Sequence, residues 1–75
     1  MLEKALKIAN RFLNDDNTNI ISYAETDEYY LFEYEGDIDN CMIKVNKKTL
    51  LGSYYVITQH FDELNKLTFK DIDVK

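Results

Sequence analysis

Cys41 and His60 are the residue types that form a nucleophile and its general base. A cysteine–histidine enzyme also needs a group that orients the histidine and donors that stabilise an oxyanion, and no motif of that kind surrounds either residue. Cys41 is moreover in phase with Ile43 and Val45, which predicts a small buried residue of a strand. We therefore expect no catalytic residue in this chain.

The segment Asp37-Ile-Asp39-Asn40 carries carboxylates at the alternating positions of a calcium-binding loop. The spacing does not fit, because Gly36 precedes the acids and no glutamate occupies the twelfth position. One cysteine and one histidine cannot supply the usual ligands of a zinc site, and two glycines cannot build a phosphate-binding loop. We expect neither a metal nor a cofactor.

The distribution of charge is more informative than any motif. The formal net charge is −5, and from Phe12 to Ile43 there is no lysine or arginine but there are nine acids. A strongly acidic segment repels nucleic acid and favours a basic protein partner, since complementary charge speeds association. The alternative is that the acids only keep the protein soluble and protect the edges of a sheet.

The acids surround an aromatic segment, Tyr-Tyr-Leu-Phe-Glu-Tyr at 29–34, and we predict that the two together form one acidic, aromatic docking surface. Tyrosine is frequent at binding hot spots, so Tyr29 and Tyr34 are the predicted anchors. The predicted partner-binding residues are Glu25, Asp27, Glu28, Tyr29, Glu33, Tyr34, Glu35, Asp37 and Asp39.

Hydrophobic periodicity predicts the scaffold that positions these residues. Apolar residues at helical spacing predict an amphipathic helix over three to four turns that packs on a sheet: Leu2, Ala5, Leu6, Ala9, Phe12 and Leu13. Residues 19–25, 29–35, 41–46 and 50–57 are predicted to form four strands of an antiparallel meander. The 29–35 strand is predicted to be central, and the 41–46 strand to be buried on one face only.

A second helix is predicted after the strands. Thr58 is the predicted N-cap, and Phe61, Leu64 and Leu67 are predicted to line the buried side. Residues 68–75 fit either a continuation of this helix or a short extended tail. The predicted fold is thus a single α+β domain, residues 1–75, with the order α-β-β-β-β-α.

Localisation is predicted from what the sequence lacks. No segment has the roughly 20 apolar residues that cross a membrane, and the apolar residues near the N-terminus are too dispersed for a signal peptide. A single free cysteine is typical of a reducing compartment. We therefore expect a cytoplasmic protein with no membrane partner.

Three short segments resemble known small bacterial domains: Ala5-Leu-Lys-Ile-Ala9, Tyr30-Leu-Phe-Glu-Tyr34 and Val45-Asn-Lys-Lys-Thr49. Together they are similar to the PepSY-like module and to the YrhB-type toxin-immunity proteins. The resemblance spans Leu2 to about Ile57 and implies an inhibitory or binding role without catalytic residues. The turn departs from the family pattern, because Asn46 replaces an acid and Leu50 replaces a glycine. PepSY modules are usually exported, so the cytoplasmic immunity type is favoured.

These observations lead to one main hypothesis and one alternative. The main hypothesis is a small acidic cytoplasmic protein of the immunity or inhibitor kind, which masks a basic site on a partner protein. If that partner normally binds DNA, the carboxylates would act as a DNA mimic. The alternative is a non-catalytic structural module that forms a homodimer through exposed aromatic residues of the sheet.

Overall fold

The computed structural model describes residues 2–13, 19–35 and 41–72. Helix α1 (Leu2–Leu13) precedes the strands β1 (Asn19–Glu25), β2 (Tyr29–Glu35), β3 (Cys41–Asn46) and β4 (Gly52–Val56); a 3₁₀ turn (Ile57–Gln59), helix α2 (Phe61–Leu64) and strand β5 (Lys70–Asp71) follow. The strands form one antiparallel sheet in the order β4-β3-β2-β1-β5. The predicted α+β architecture is confirmed, with a short fifth strand added beside β1.

Strand β2 is the middle strand of the sheet, as predicted from its aromatic content. Its alternate residues enter two different cores, because successive side chains of a strand point to opposite faces. Tyr30, Phe32 and Tyr34 are buried on the first face, and Tyr29 and Leu31 are buried on the second. A strand buried on both faces fixes its register, since a shift by one residue would exchange the two cores.

Helix α1 covers the first face, across β2, β3 and β4. It presents Ala5 and Ala9 to the sheet, and both are fully buried. Phe12 lies over Gly52, where an added Cβ would come within 3.2 Å of the ring. The same ring meets Tyr54 edge-on, with 4.8 Å between the centroids. The absence of a side chain at position 52 therefore lets the end of the helix lie close to β4.

The second face is covered by the chain after β4. Ile57, Leu64, Leu67 and Phe69 pack against a core that contains Met42. The prediction that β3 is buried on one face only is therefore wrong. Met42 is buried as well, because the C-terminal segment folds back over the side of the sheet that was expected to face solvent.

The predicted second helix is shorter than expected and begins later. Thr58 lies in the 3₁₀ turn, and α2 begins after His60 without a side-chain cap, so the predicted cap at Thr58 is wrong. Phe61 is 57% exposed, whereas Leu64 and Leu67 pack on the second face as predicted. Helix α2 is a single helical turn, and the chain then extends again across the second face of the sheet.

After α2 the chain continues as the extended tail that was one of the two alternatives for residues 68–75; residues 73–75 lie outside the described ranges. Strand β5 pairs with Ser22 and Tyr23 of β1. Next to this pairing, β1 contains an irregularity at Ile21, whose carbonyl accepts a hydrogen bond from the amide of Ile72 at 2.9 Å. The bulge thus gives the tail a backbone acceptor.

The turn between β3 and β4 is closed by Asn46. Its side-chain oxygen accepts hydrogen bonds from the amides of Lys48 at 2.8 Å and Thr49 at 3.0 Å. The amide of Leu50 then donates to the carbonyl of Asn46 at 2.9 Å. Leu50 has a φ of 57°, the left-handed region in which glycine is usual. The chain therefore accepts strain at Leu50, where a glycine would be unstrained.

Candidate partner-binding surface

Thr26 organises the turn between β1 and β2. Its hydroxyl oxygen accepts hydrogen bonds from the amides of Glu28 at 3.2 Å and Tyr29 at 3.1 Å. Its own amide donates to the carbonyl of Tyr29 at 2.9 Å. A threonine side chain can close a turn in this way without glycine. The result is a fixed loop that leaves the side chains of Asp27 and Glu28 exposed at its tip.

Glu25, at the end of β1, is engaged within the chain. Its carboxylate accepts a hydrogen bond from the ammonium group of Lys47 at 2.6 Å, and that ammonium lies 4.9 Å from the ring centroid of Tyr30. The amide of Lys47 donates to the carbonyl of Glu28 at 2.9 Å, so the two turns at this end of the sheet lie side by side. The hydrogen bond lowers the pKa of Glu25 and raises the pKa of Lys47.

A groove of about 470 Å³ opens beside this ion pair. Its charged lining residues are two acids and three lysines, namely Glu25, Asp27, Lys47, Lys66 and Lys70. The lysines come from parts of the chain outside the lysine-free segment of the sequence. Acids that are separated from bases along the sequence are therefore next to bases in the fold, and the predicted surface is not uniformly acidic here.

The two predicted anchors are buried, and the prediction that they lie on an exposed surface is wrong. Tyr29 and Tyr34 are each 8% exposed and belong to the cores on opposite faces of the sheet. The hydroxyl of Tyr29 donates a hydrogen bond to Glu63, and the ammonium of Lys44 lies 4.6 Å from the Tyr29 ring centroid. Burial raises the pKa of the Tyr34 hydroxyl. Both tyrosines are buried because they occur at core positions of β2, next to other apolar residues of the strand.

Glu33 and Glu35, the remaining predicted acids that the structure describes, do not form one surface with the β1–β2 turn. Glu33 is half-buried on the second face and accepts a hydrogen bond from the buried hydroxyl of Ser22 at 2.7 Å. Glu35 ends β2, about 20 Å along the strand from its start, given a rise of about 3.3 Å per residue. Asp37 and Asp39 lie outside the described residues. Among the predicted site residues whose side chains the structure describes, Asp27 and Glu28 are those found exposed without a side-chain bond to another described residue.

Helix α2 contributes exposed residues that the sequence analysis did not include in the site. Phe61 and Asp62 are exposed, although Phe61 was expected to be buried. The hydrogen bond between Tyr29 and Glu63 connects α2 to the residue that directly follows Glu28. One sequence signal could have identified Phe61 and Asp62: an aromatic residue next to an acid, directly after a segment that ends a strand. The helical spacing of Phe61, Leu64 and Leu67 indicated a buried Phe61 instead.

Cys41 and His60 lie on opposite faces of the sheet. Cys41 is half-buried and packs against the first-face core. The ring of His60 stacks on Tyr55, a residue of the second-face core, with 4.1 Å between the centroids, and its Nδ1 donates to the carbonyl of Val56 at 2.8 Å. The sheet therefore separates the thiol from the imidazole, and the two side chains do not form a nucleophile–base pair.

Within residues 2–13, 19–35 and 41–72, no three histidine, cysteine, aspartate or glutamate side chains come together in a group that could hold a metal ion. In the same ranges, no helix has the length and apolar character that crossing a membrane requires.

Comparison of the chain with family models, with curated proteins and with solved structures gave no match. The resemblance to immunity and PepSY-like domains therefore stays a prediction that rests on the three short segments alone.

Proposed function

We propose that this chain is a protein-binding module of the inhibitor or immunity kind, which covers a basic site on a partner protein. One observation carries the proposal: Asp27 and Glu28 are exposed on a turn that Thr26 holds in a fixed conformation. A turn whose backbone is already fixed loses little conformational entropy on binding, and its exposed carboxylates steer a basic partner from a distance.

Helix α2 would extend this surface. Phe61 and Asp62 provide an exposed aromatic ring next to a further carboxylate, and the bond between Tyr29 and Glu63 ties the helix to the turn. Aromatic residues often dominate the binding energy of an interface, whereas charges at its rim set the association rate. Phe61 thus takes the anchoring role that the buried tyrosines cannot have.

The proposed setting is the cytoplasm, because Cys41 is a free thiol and free thiols persist in reducing compartments. A partner that normally binds DNA is one form of the proposal, with the carboxylates in place of phosphates. In that form, DNA and this protein compete for the same site on the partner.

The test begins with affinity capture from a lysate of the source cells at low salt, followed by elution with rising salt. The captured protein is then titrated with the native chain and with the double variant Asp27→Lys, Glu28→Lys. We expect the variant to bind at least tenfold more weakly, and we expect the affinity of the native chain to fall as salt rises.

The matched control is Glu3→Lys, Asp71→Lys, which changes the net charge equally at two exposed positions away from the turn. Equal weakening by both pairs would mean that only the net charge matters and would overturn the assignment of the site. Capture that is unaffected by either pair would overturn the charge argument. A partner whose binding resists DNA at saturating concentration would exclude the DNA-mimic form.

A further inference from the structure

The two edges of the sheet are protected to very different degrees. Strand β5 has two residues, Lys70 and Asp71, and both are charged. Strand β4 has five residues, and no Asp, Glu, Lys or Arg occurs from Thr49 to Phe61. Natural proteins guard an open edge with short strands, charges or proline, since its free amides and carbonyls attract another strand. The β4 edge has none of these charges or prolines.

The hydrogen bonds of the β3–β4 pair determine which backbone groups of β4 face outward. The amide of Asn46 donates to the carbonyl of Leu51 at 3.1 Å, so Leu51 faces β3. In an antiparallel pair, alternate residues face opposite sides of the strand, and Gly52, Tyr54 and Val56 therefore face the open edge. The carbonyl of Val56 is already bonded to His60. Within the described residues, Gly52 and Tyr54 are left with outward-facing amides and carbonyls.

We propose that two copies of this chain associate edge to edge through β4, antiparallel, with Ser53 on the two-fold axis. In this register Gly52 of each copy lies opposite Tyr54 of the other, and the outward-facing groups form four backbone hydrogen bonds. A register centred on Tyr54 would instead place the two Tyr54 rings opposite each other. It would also pair Gly52 with Val56, whose carbonyl is already bonded to His60. A register centred on Gly52 would place Tyr54 against the Leu50 turn.

The side chains on the first face fit the same register. Tyr54 is 53% exposed and points to the face on which Phe12 covers Gly52. Across the axis, Tyr54 of one copy lies beside the bare backbone of Gly52 in the other, next to that copy's Phe12. The pairing thus combines the two aromatic pairs into one cluster, and burial of aromatic surface is a strong source of association energy.

The second face supplies a second apolar contact. Leu51 is 69% exposed and lies, in the proposed register, opposite Tyr55 of the second copy, on which His60 stacks. The interface formed by one short strand and a few side chains is small. We therefore expect a reversible dimer with a dissociation constant in the micromolar range.

The charges near this edge differ from the net charge of −5 of the whole chain. From Cys41 to Phe61 the chain has three lysines, Lys44, Lys47 and Lys48, and no acid. The described acids of the sheet belong to β1, β2 and β5 and to the β1–β2 turn, on the far side of β3. Two copies that meet through β4 thus keep the carboxylates of the sheet apart, and an interface without charged residues is insensitive to salt.

The register is tested by disulfide formation in the variant Ser53→Cys on a Cys41→Ala background. Two residues that face each other in a non-hydrogen-bonded antiparallel pair have Cα atoms about 4.5 Å apart, within the range of a disulfide. Oxidised glutathione takes the two electrons and two protons of the thiols and is reduced to two molecules of glutathione. We expect a covalent dimer to form at least tenfold faster than in the control Thr58→Cys, an exposed residue five positions from the axis.

Sedimentation of the native chain tests the association itself. We expect the average mass to rise with concentration, to be unchanged between low and high salt, and to fall in the variant Ser53→Lys, which places two ammonium groups side by side. Asn65→Lys adds the same charge at an exposed residue of the C-terminal segment and should leave the association unchanged. A native chain that stays monomeric at millimolar concentration, or equal cross-linking of Ser53→Cys and Thr58→Cys, would overturn the proposal.

Discussion

The strained residue Leu50 provides a direct test of the β3–β4 turn, through a comparison of Leu50→Gly with Leu50→Ala. At ordinary positions glycine is less stable than alanine by about 0.5–1 kcal/mol, because the unfolded chain with glycine has more conformational freedom. At a φ of 57° the order should reverse, since a Cβ in the left-handed region costs about 1–2 kcal/mol. The net expectation is that Leu50→Gly is more stable than Leu50→Ala by about 1 kcal/mol.

Comparing glycine with alanine, instead of with leucine, removes the loss of the leucine side-chain contacts from the measured difference in stability. The Leu50 side chain is half-buried and lines a shallow groove with Ile8 and Phe12, and both substitutions remove its contacts beyond Cβ. The difference between the two variants therefore reports mainly the backbone conformation, because alanine retains only the Cβ methyl. Lys48 is the matched control, because it lies in the same turn, is exposed and has no positive φ.

Urea denaturation measures the free energy of unfolding of the four variants, with equal slopes as the requirement for comparison. In thermal unfolding, 1 kcal/mol corresponds to a shift of about 4–8 °C in Tm for a domain of this size. We expect glycine to be the more stable of the pair at position 50 and the less stable at position 48. If alanine were equal to or better than glycine at position 50, the left-handed conformation of Leu50 would be refuted.

Two further predictions concern groups on the sheet. Tyr29→Phe removes the hydroxyl that donates to Glu63 and should lower the free energy of unfolding by about 1–2 kcal/mol in urea denaturation. Tyr55→Phe should be neutral or stabilising, because the buried hydroxyl of Tyr55 has no partner among the described residues. Equal losses in the two variants would contradict the assignment of the Tyr29–Glu63 hydrogen bond. Lys47→Met should raise the pKa of Glu25 toward its ordinary value in an NMR titration. Because the folded pKa of Glu25 is lowered, the stabilisation from this pair is present above the ordinary pKa of glutamate and lost as the pH falls through the lowered value. The raised pKa of Lys47 means that the same stabilisation is also lost as the pH rises through that raised value. An unchanged Glu25 titration would show that the pair does not form in solution.

The sheet was predictable because its signals are local and repeated. In β2 apolar residues occupy both sides of the period-two pattern, and in β3 they fill one side. Such strands pair with neighbours that short polar turns bring alongside. The prediction for Met42 was wrong for a non-local reason. Whether the second side of a strand is covered depends on where the C-terminal segment folds, and alternation within β3 contains no information on that.

The C-terminal segment was less predictable because its apolar spacing is ambiguous. Phe61, Leu64 and Leu67 fit one side of a helix, yet Leu64, Leu67 and Phe69 also suit a chain that turns once and then extends over a sheet. A helix of four residues gains little from its own hydrogen bonds, so contacts with the sheet decide the conformation.

The candidate site was predicted only in part, since charge along a sequence does not specify charge in space. Asp27 and Glu28 were identified correctly as exposed acids, because a polar turn between two strands places its side chains in solvent. The lysines of the adjoining groove come from the β3–β4 turn, from the end of the α2 region and from β5. Their approach to Glu25 and Asp27 depends on strand order, which the charge pattern cannot reveal.

The two proposed surfaces lie on different parts of the sheet, and this separation has a consequence for binding. Strands are spaced about 4.8 Å apart, so a two-fold axis at the β4 edge would separate the two β1–β2 turns by roughly 30 Å across the strands and place them at opposite ends of the paired strands. Each turn would keep Asp27 and Glu28 free, because edge pairing involves only β4. A dimer would thus present two acidic turns to a partner with two basic sites, and the second contact would form at a high effective concentration. Weak contacts at each turn would then add to a tight complex without a larger interface on either copy.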